Sequence, residues 1–177
     1  MKELNLPNTL TIFRILALPF CAYALFKNGG EDDSWRIIAF TLFFIVGLSD
    51  ILDGKIARSR NQITEFGKLL DPIADKAMLA TASISASLLG MLSWWVTAIF
   101  LIREIAVTIL RFAVIKNGVI PASKGAKLKT FFQNFSVGFY ILPLPSYLNL
   151  PRDLFTAVAI YLTITTGVDY FRKVFRK

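Results

Sequence analysis

Six predominantly apolar runs, over residues 9–26, 35–56, 68–89, 92–115, 128–148 and 154–171, divide this chain. Each is close to the roughly 20 residues that an α-helix needs to cross the hydrocarbon of a bilayer. Short breakers fall between them: Asn28-Gly29-Gly30, residues 58–61, Gly90, Asn117-Gly118 and residues 143–151. Composition agrees with a lipid solvent, since 55% of the residues are hydrophobic and only 18% charged. A soluble domain carries about a quarter charged residues. The 177 residues are therefore expected to form one all-α domain over 1–177, an integral membrane bundle of six transmembrane helices.

Basic residues orient the bundle. With six spans, one side collects both termini and the loops after spans two and four. That side gathers Lys2, Lys55, Arg58, Arg60, Lys68, Lys116, Lys124, Lys127, Lys129, Arg172, Lys173, Arg176 and Lys177. The other side has only Lys27, Arg36 and Arg152, with Glu31, Asp32 and Asp33 beside them. The positive-inside rule then places both termini in the cytoplasm, in the cell (inner) membrane. Trp35, Trp94 and Trp95 sit at span ends, where indole rings anchor at the interface. The net charge of +8 is carried by residues that separate apolar blocks, which suits lipid head groups and anionic substrates and argues against nucleic acid.

Absences narrow the chemistry. The chain has no histidine, which excludes a Ser-His-Asp triad and histidine metal ligands. Cys21 is the single cysteine, so no intramolecular disulfide or CxxC pair can form, and a packed or lipid-facing thiol is expected. Arg14 interrupts the first apolar run and no small-x-small site follows, so a cleavable signal peptide is not expected.

Ionisable groups within a span are costly and usually functional. Asp50 and Asp53 lie three apart on the second helix, and Asp71 and Asp75 four apart on the third, so each pair shares a face. A short turn joins the two helices near the cytoplasmic side and lets the faces meet. Four converging carboxylates repel one another unless some are protonated or a cation compensates. Oxygen ligands without nitrogen or sulfur select Mg²⁺, Mn²⁺ or Ca²⁺, and two such ions could clamp a phosphoryl group. Gly54, Ala57 and Gly67 let something approach the helix backbone closely, either a nucleotide base or a neighbouring helix.

These residues spell Asp50-x2-Asp53-Gly54-x2-Ala57-Arg58-x8-Gly67-x3-Asp71-x3-Asp75, which resembles the signature of the CDP-alcohol phosphotransferases at every position and gap. The resemblance implies a six-helix membrane fold, usually dimeric, that transfers a phosphoalcohol group from a CDP-linked donor and releases CMP. It implies that Asp50, Asp53, Asp71 and Asp75 bind two Mg²⁺ or Mn²⁺ ions and that Asp75 is also the general base. Gly54, Ala57, Arg58 and Gly67 would border the cytidine diphosphate. A carboxylate crowded by others is a better base near neutrality.

The opening Leu6-Pro7-Asn8-Thr9-Leu10-Thr11-Ile12-Phe13-Arg14 is similar to that of the phosphatidylglycerophosphate synthase branch of the family and of several relatives. It would bring Asn8 and Thr11 close to the nucleotide or its phosphates. Arg103-Glu104, Arg111 and the stretch Ser123-Lys124-Gly125-Ala126-Lys127-Leu128-Lys129-Thr130 resemble the same branch. The implied substrates are CDP-diacylglycerol and glycerol 3-phosphate, with phosphatidylglycerophosphate and CMP as products. A dianionic acceptor needs cations, and Arg111, Lys127 and Lys129 can supply them at the cytoplasmic rim, although a positive-inside loop would carry the same lysines. Arg103 and Glu104 lie deeper and are expected to pair with partners on other helices.

Three other readings compete. A sister enzyme would use the same donor with serine, inositol phosphate or phosphatidylglycerol as acceptor. A membrane prenyltransferase also uses aspartate motifs, but needs more spans and a third aspartate at position 57. An acid-lined cation transporter would place its carboxylates near the midplane, with broken helices or repeats, and the aspartate motif has no second copy here.

Overall fold

The structure, a computed structural model, describes residues 6–59, 65–114 and 124–175, and the side chains of 8–49, 70–111, 113, 125 and 127–175. Six α-helices follow one another: α1 (Leu6–Phe26), α2 (Asp33–Ser59), α3 (Glu65–Leu88), α4 (Trp94–Val114), α5 (Lys124–Ile141) and α6 (Asn149–Phe175). Each corresponds to one of the expected runs. No strand occurs among the described residues. The last boundary moves: α5 stops at Ile141 where the apolar run continues to 148. Pro143 and Pro145 cannot donate helical hydrogen bonds, and a 3₁₀ turn over Ser146–Leu148 fills the gap. Pro151 falls inside α6 because the first helical turn needs no donor there.

α1 packs against α2 and α3, α6 against α5 and α4, and α3 joins both groups by touching α4 and α5. The interior is partly apolar, built on Leu18, Cys21, Leu25, Phe43, Val96, Phe100, Val137 and Ile141. Cys21 is thus a packed core thiol. Beside it lies much polar material: Thr11, Arg14, Ser83, Thr97, Lys129, Gln133, Ser136 and Thr163 are all buried. The exterior shows the opposite pattern, with Phe13, Phe20, Ile45, Ile102, Leu154 and Tyr161 among many large exposed apolar side chains. A water-soluble domain of this size would not leave apolar stripes uncovered on every helix. Packing a polar interior behind an apolar exterior is what a bilayer solvent favours, because interhelical hydrogen bonds replace water there.

Two segments, Asn8–Gly30 and Ser146–Phe175, are long and apolar enough to cross a membrane. Only 33% and 22% of their most apolar windows are buried, unlike the core helix of a soluble protein. α3 and α4 are diluted by charged residues described below, among them Asp71, Asp75, Lys76, Arg103, Glu104 and Arg111. Small residues on α3 are used within the chain: Ser87 and Thr97 share a 2.7 Å hydrogen bond, and Thr97 donates to the Ser83 carbonyl at 3.3 Å.

One end of the bundle is closed by tight turns. Asn28 and Gly29 have φ of 54° and 69°, which lets the chain reverse between α1 and α2. A Cβ on Gly30 would stand 2.9 Å from both Leu89 and Met91, so this turn is pressed onto the α3–α4 turn. Gly90, at φ +71°, ends α3, and Met91 donates back to the Ala86 carbonyl at 2.9 Å. Asp32 caps α2 by accepting from the Ser34 and Trp35 N–H groups at 2.9 and 3.2 Å. Donation from the Asn28 amide, then those N–H groups, hold the Asp32 carboxyl below the usual carboxylate range. Asp153 accepts from Arg152 Nε at 2.9 Å.

Arg36 closes the same end from inside. Its Nε donates to the Ile141 carbonyl at 2.9 Å, and its Nη2 to the Tyr140 and Leu142 carbonyls at 3.1 and 3.0 Å. The final carbonyls of α5 have no helical donors, so the guanidinium satisfies those of Tyr140 and Ile141 and joins the Leu144 N–H on the Leu142 carbonyl. Trp94 and Trp95 are exposed at this end, as interface anchors would be.

Candidate active site

The opposite end gathers the chemistry. α2 carries Asp50 and Asp53 and α3 carries Asp71 and Asp75, and the two helices touch. The side chains of Asp50, Asp53, Gly54, Ala57, Arg58 and Gly67 lie outside the described residues. Asp71 is partly buried, and the Asp75 side chain is 48% exposed.

α1 is laid along the aspartate helix. Asn8, Thr11 and Arg14 recur every third residue and are buried to 2%, 1% and 1% exposure. Thr11 Oγ1 donates to Asp71 Oδ1 at 2.9 Å, and Arg14 Nη1 to Asp75 Oδ1 at 3.4 Å. Asn8 and Thr11, expected close to the nucleotide or its phosphates, both lie on this stripe. The pairing of Arg14 with Asp75 was not expected from the sequence. The available signal was a cation within an apolar span, three residues after Thr11, since such charges persist where a partner waits.

The three basic residues assigned to the acceptor separate. Arg111, in the last turn of α4, and Lys127, in the first turns of α5, are exposed. Lys129 is buried, not at the rim, and its ammonium donates to Glu104 Oε1. Arg103 also donates to Glu104 at 3.0 Å and to Thr166 of α6 at 3.1 Å, so this pair does bind partners on other helices.

Among the described residues no three acids converge as a metal site would require; the two on α3, one bonded by a hydroxyl and the other by a guanidinium, are hard oxygen donors of the kind magnesium or manganese takes. The Asp75 carboxylate, held by Arg14, is half open to solvent at this end of the bundle.

Comparison with known proteins agrees. The family model described as CDP-alcohol phosphatidyltransferase matches residues 4–168. A protein of Mycobacterium tuberculosis named "Probable phosphatidylglycerophosphate synthase" is 46% identical over 172 residues, covering 97% of this chain and 82% of that protein. Proteins named "CDP-diacylglycerol--glycerol-3-phosphate 3-phosphatidyltransferase" are similar as well. That of Rickettsia typhi is 35% identical over 95% of this chain and 96% of its own length. That of Bacillus subtilis is 34% identical over 96% and 94%. With the match running from the first helix, where Thr11 and Arg14 meet the aspartates, into the last, the chain belongs to the CDP-alcohol phosphatidyltransferase family.

Proposed function

We propose that this enzyme transfers the phosphatidyl group of CDP-diacylglycerol to glycerol 3-phosphate, giving phosphatidylglycerophosphate and CMP. The observation that carries the reading is the likeness to relatives of that name over nearly the whole chain. The enzyme is read as crossing the membrane six times, with both termini and the active site facing the cytoplasm, and as acting as a homodimer. The cytoplasmic site suits a soluble acceptor and nucleotide while the acyl chains remain in the bilayer.

Asp50, Asp53, Asp71 and Asp75 would hold two Mg²⁺ or Mn²⁺ ions, which supply positive charge against the diphosphate and the departing CMP. Thr11 and Arg14 orient Asp71 and Asp75 for this task. Asn8, Thr11, Gly54, Ala57, Arg58 and Gly67 would bind the nucleotide end of the donor. The acceptor hydroxyl attacks the phosphorus attached to diacylglycerol, its proton passes to Asp75, and the bond to CMP breaks. Arg58 would stabilise charge on the leaving phosphate.

Arg111, Lys127 and Lys129 would receive the acceptor's phosphate. Lys127 and Lys129 lie near the start of α5, where the helix dipole favours anions.

The test is an acceptor panel. Purified protein in detergent, given CDP-diacylglycerol with Mg²⁺ or Mn²⁺, should release CMP on addition of glycerol 3-phosphate, and a chelator should abolish that release. Release supported only by serine, inositol phosphate or phosphatidylglycerol would refute the acceptor assignment. Absence of release with every acceptor would refute the reaction.

A further inference from the structure

A second polar cluster lies inside the bundle between α4, α5 and α6, and the aspartate chemistry leaves it unexplained. Glu104 is at its centre. Its Oε1 accepts from Arg103 Nη1 at 3.0 Å and from the Lys129 ammonium. Its backbone carbonyl accepts the Thr108 hydroxyl at 2.5 Å, and the oxygen of that hydroxyl accepts from the Lys76 ammonium. Lys76 follows Asp75 directly on α3. Arg103 reaches Thr166 of α6 at 3.1 Å, and its stem lies against Gly167, where a Cβ would stand 3.3 Å from Cγ.

Charge does not balance in this cluster. Among the described residues, Lys76, Arg103 and Lys129 are positive and Glu104 alone is negative. Asp75 also acts on Lys76, but its carboxylate is shared with Arg14, so the surplus of two positive charges remains when both are included. Arg111 adds to the positive field at Lys76. Arg103 Nε is buried without an acceptor. A buried donor with no acceptor, inside a surplus of positive charge, is costly in a bilayer protein unless an anion completes it. A phosphomonoester carries about two negative charges near neutral pH and several acceptor oxygens.

We infer that Glu104 is a positioning residue for the acceptor's phosphate. By binding Lys129 and Arg103 with its carboxylate, beside a Lys76 that Thr108 ties to its backbone carbonyl, it presets a cationic seat for a phosphomonoester. Without its charge, the three cations repel one another and lose their common geometry. The inference deepens the proposed function and rests on it.

Steady-state kinetics of wild type, Glu104→Gln, Glu104→Asp and Thr108→Val test it, with CMP release as readout. Wild-type release with glycerol 3-phosphate is measured first; its absence refutes the proposed function and takes this inference with it. Given an active wild type, Glu104→Gln should raise KM for glycerol 3-phosphate about tenfold or more, while KM for CDP-diacylglycerol stays within about twofold. Glu104→Asp, which restores the charge, should recover part of the loss. Thr108→Val, which releases Lys76 from the Glu104 backbone carbonyl, should raise the acceptor KM about threefold. Glu104→Asp, whose shorter side chain loosens the hold on Lys129 and Arg103, decides the matter if Glu104→Gln does not fold. Equal rises in both KM values, or an acceptor KM unchanged in the variants that fold, would overturn the inference and leave Glu104 a packing residue.

Discussion

Where α1 turns into α2 and α3 into α4, the chain reverses through left-handed residues at 28–30 and 90, and backbone groups are closed by Asp32 and Arg36. At the other end, Asp71, Asp75, Arg111 and Lys127 remain partly or fully exposed, and side-chain pairs between helices do the holding. The first end satisfies the backbone, with Asp32 given over to a helix cap. The second leaves acids and bases open on a frame that the first end keeps rigid. Stability and chemistry are thus expected to respond to different substitutions.

Removing the guanidinium that holds Asp75 should have a large effect on turnover. Arg14→Met is expected to cut CMP release about a hundredfold, equivalent to about 2.7 kcal/mol in the barrier, because Asp75 loses its orientation. The unfolding midpoint in detergent should change little, since solvent reaches the half-exposed Asp75 and a buried cation has been removed. A large loss of stability with activity per folded molecule preserved would show that Arg14 serves the frame.

Gly30→Val reverses the test at the far end. The side chain would press on Leu89 and Met91 and take up a φ of +77°, costing about 1–3 kcal/mol of stability. Turnover per folded molecule should be unchanged. If turnover fell with stability intact, the two ends would not be separable as described.

The smallest effect is acidic and local. The Asp32 carboxyl is held below its unfolded value of about 3.9 by its hydrogen bonds, so its stabilisation is present above that value and disappears as pH falls through the folded one. Asp32→Ala should therefore lower the thermal midpoint slightly and evenly between about pH 5 and 8. The gap from wild type should close below about pH 4. A gap that persists in acid would assign the cap's effect to packing.

Much of this division was legible in the sequence. The six helices follow from apolar runs and their breakers, because lipid imposes a length that leaves few alternatives. The aspartate spacing marked the site end, and the opening motif placed Thr11 there. What stayed hidden were contacts between residues far apart in sequence. Arg14 meets Asp75 across 61 positions and Arg36 meets the end of α5 across 105, and no helical period encodes either pairing. Lys129 belonged by pattern to an exposed basic loop, yet it turns inward because Glu104 offers a carboxylate one helix away. The end of α5 shifted because two prolines outweigh continued hydrophobicity.

The most direct measurement is CMP release by Asp75→Asn beside wild type, with CDP-diacylglycerol, glycerol 3-phosphate and Mn²⁺, and thermal unfolding recorded on the same samples. A drop in turnover of about a thousandfold or more, with the midpoint of unfolding preserved, is predicted for a carboxylate that takes the acceptor's proton. Unaltered turnover in a folded Asp75→Asn protein would contradict it.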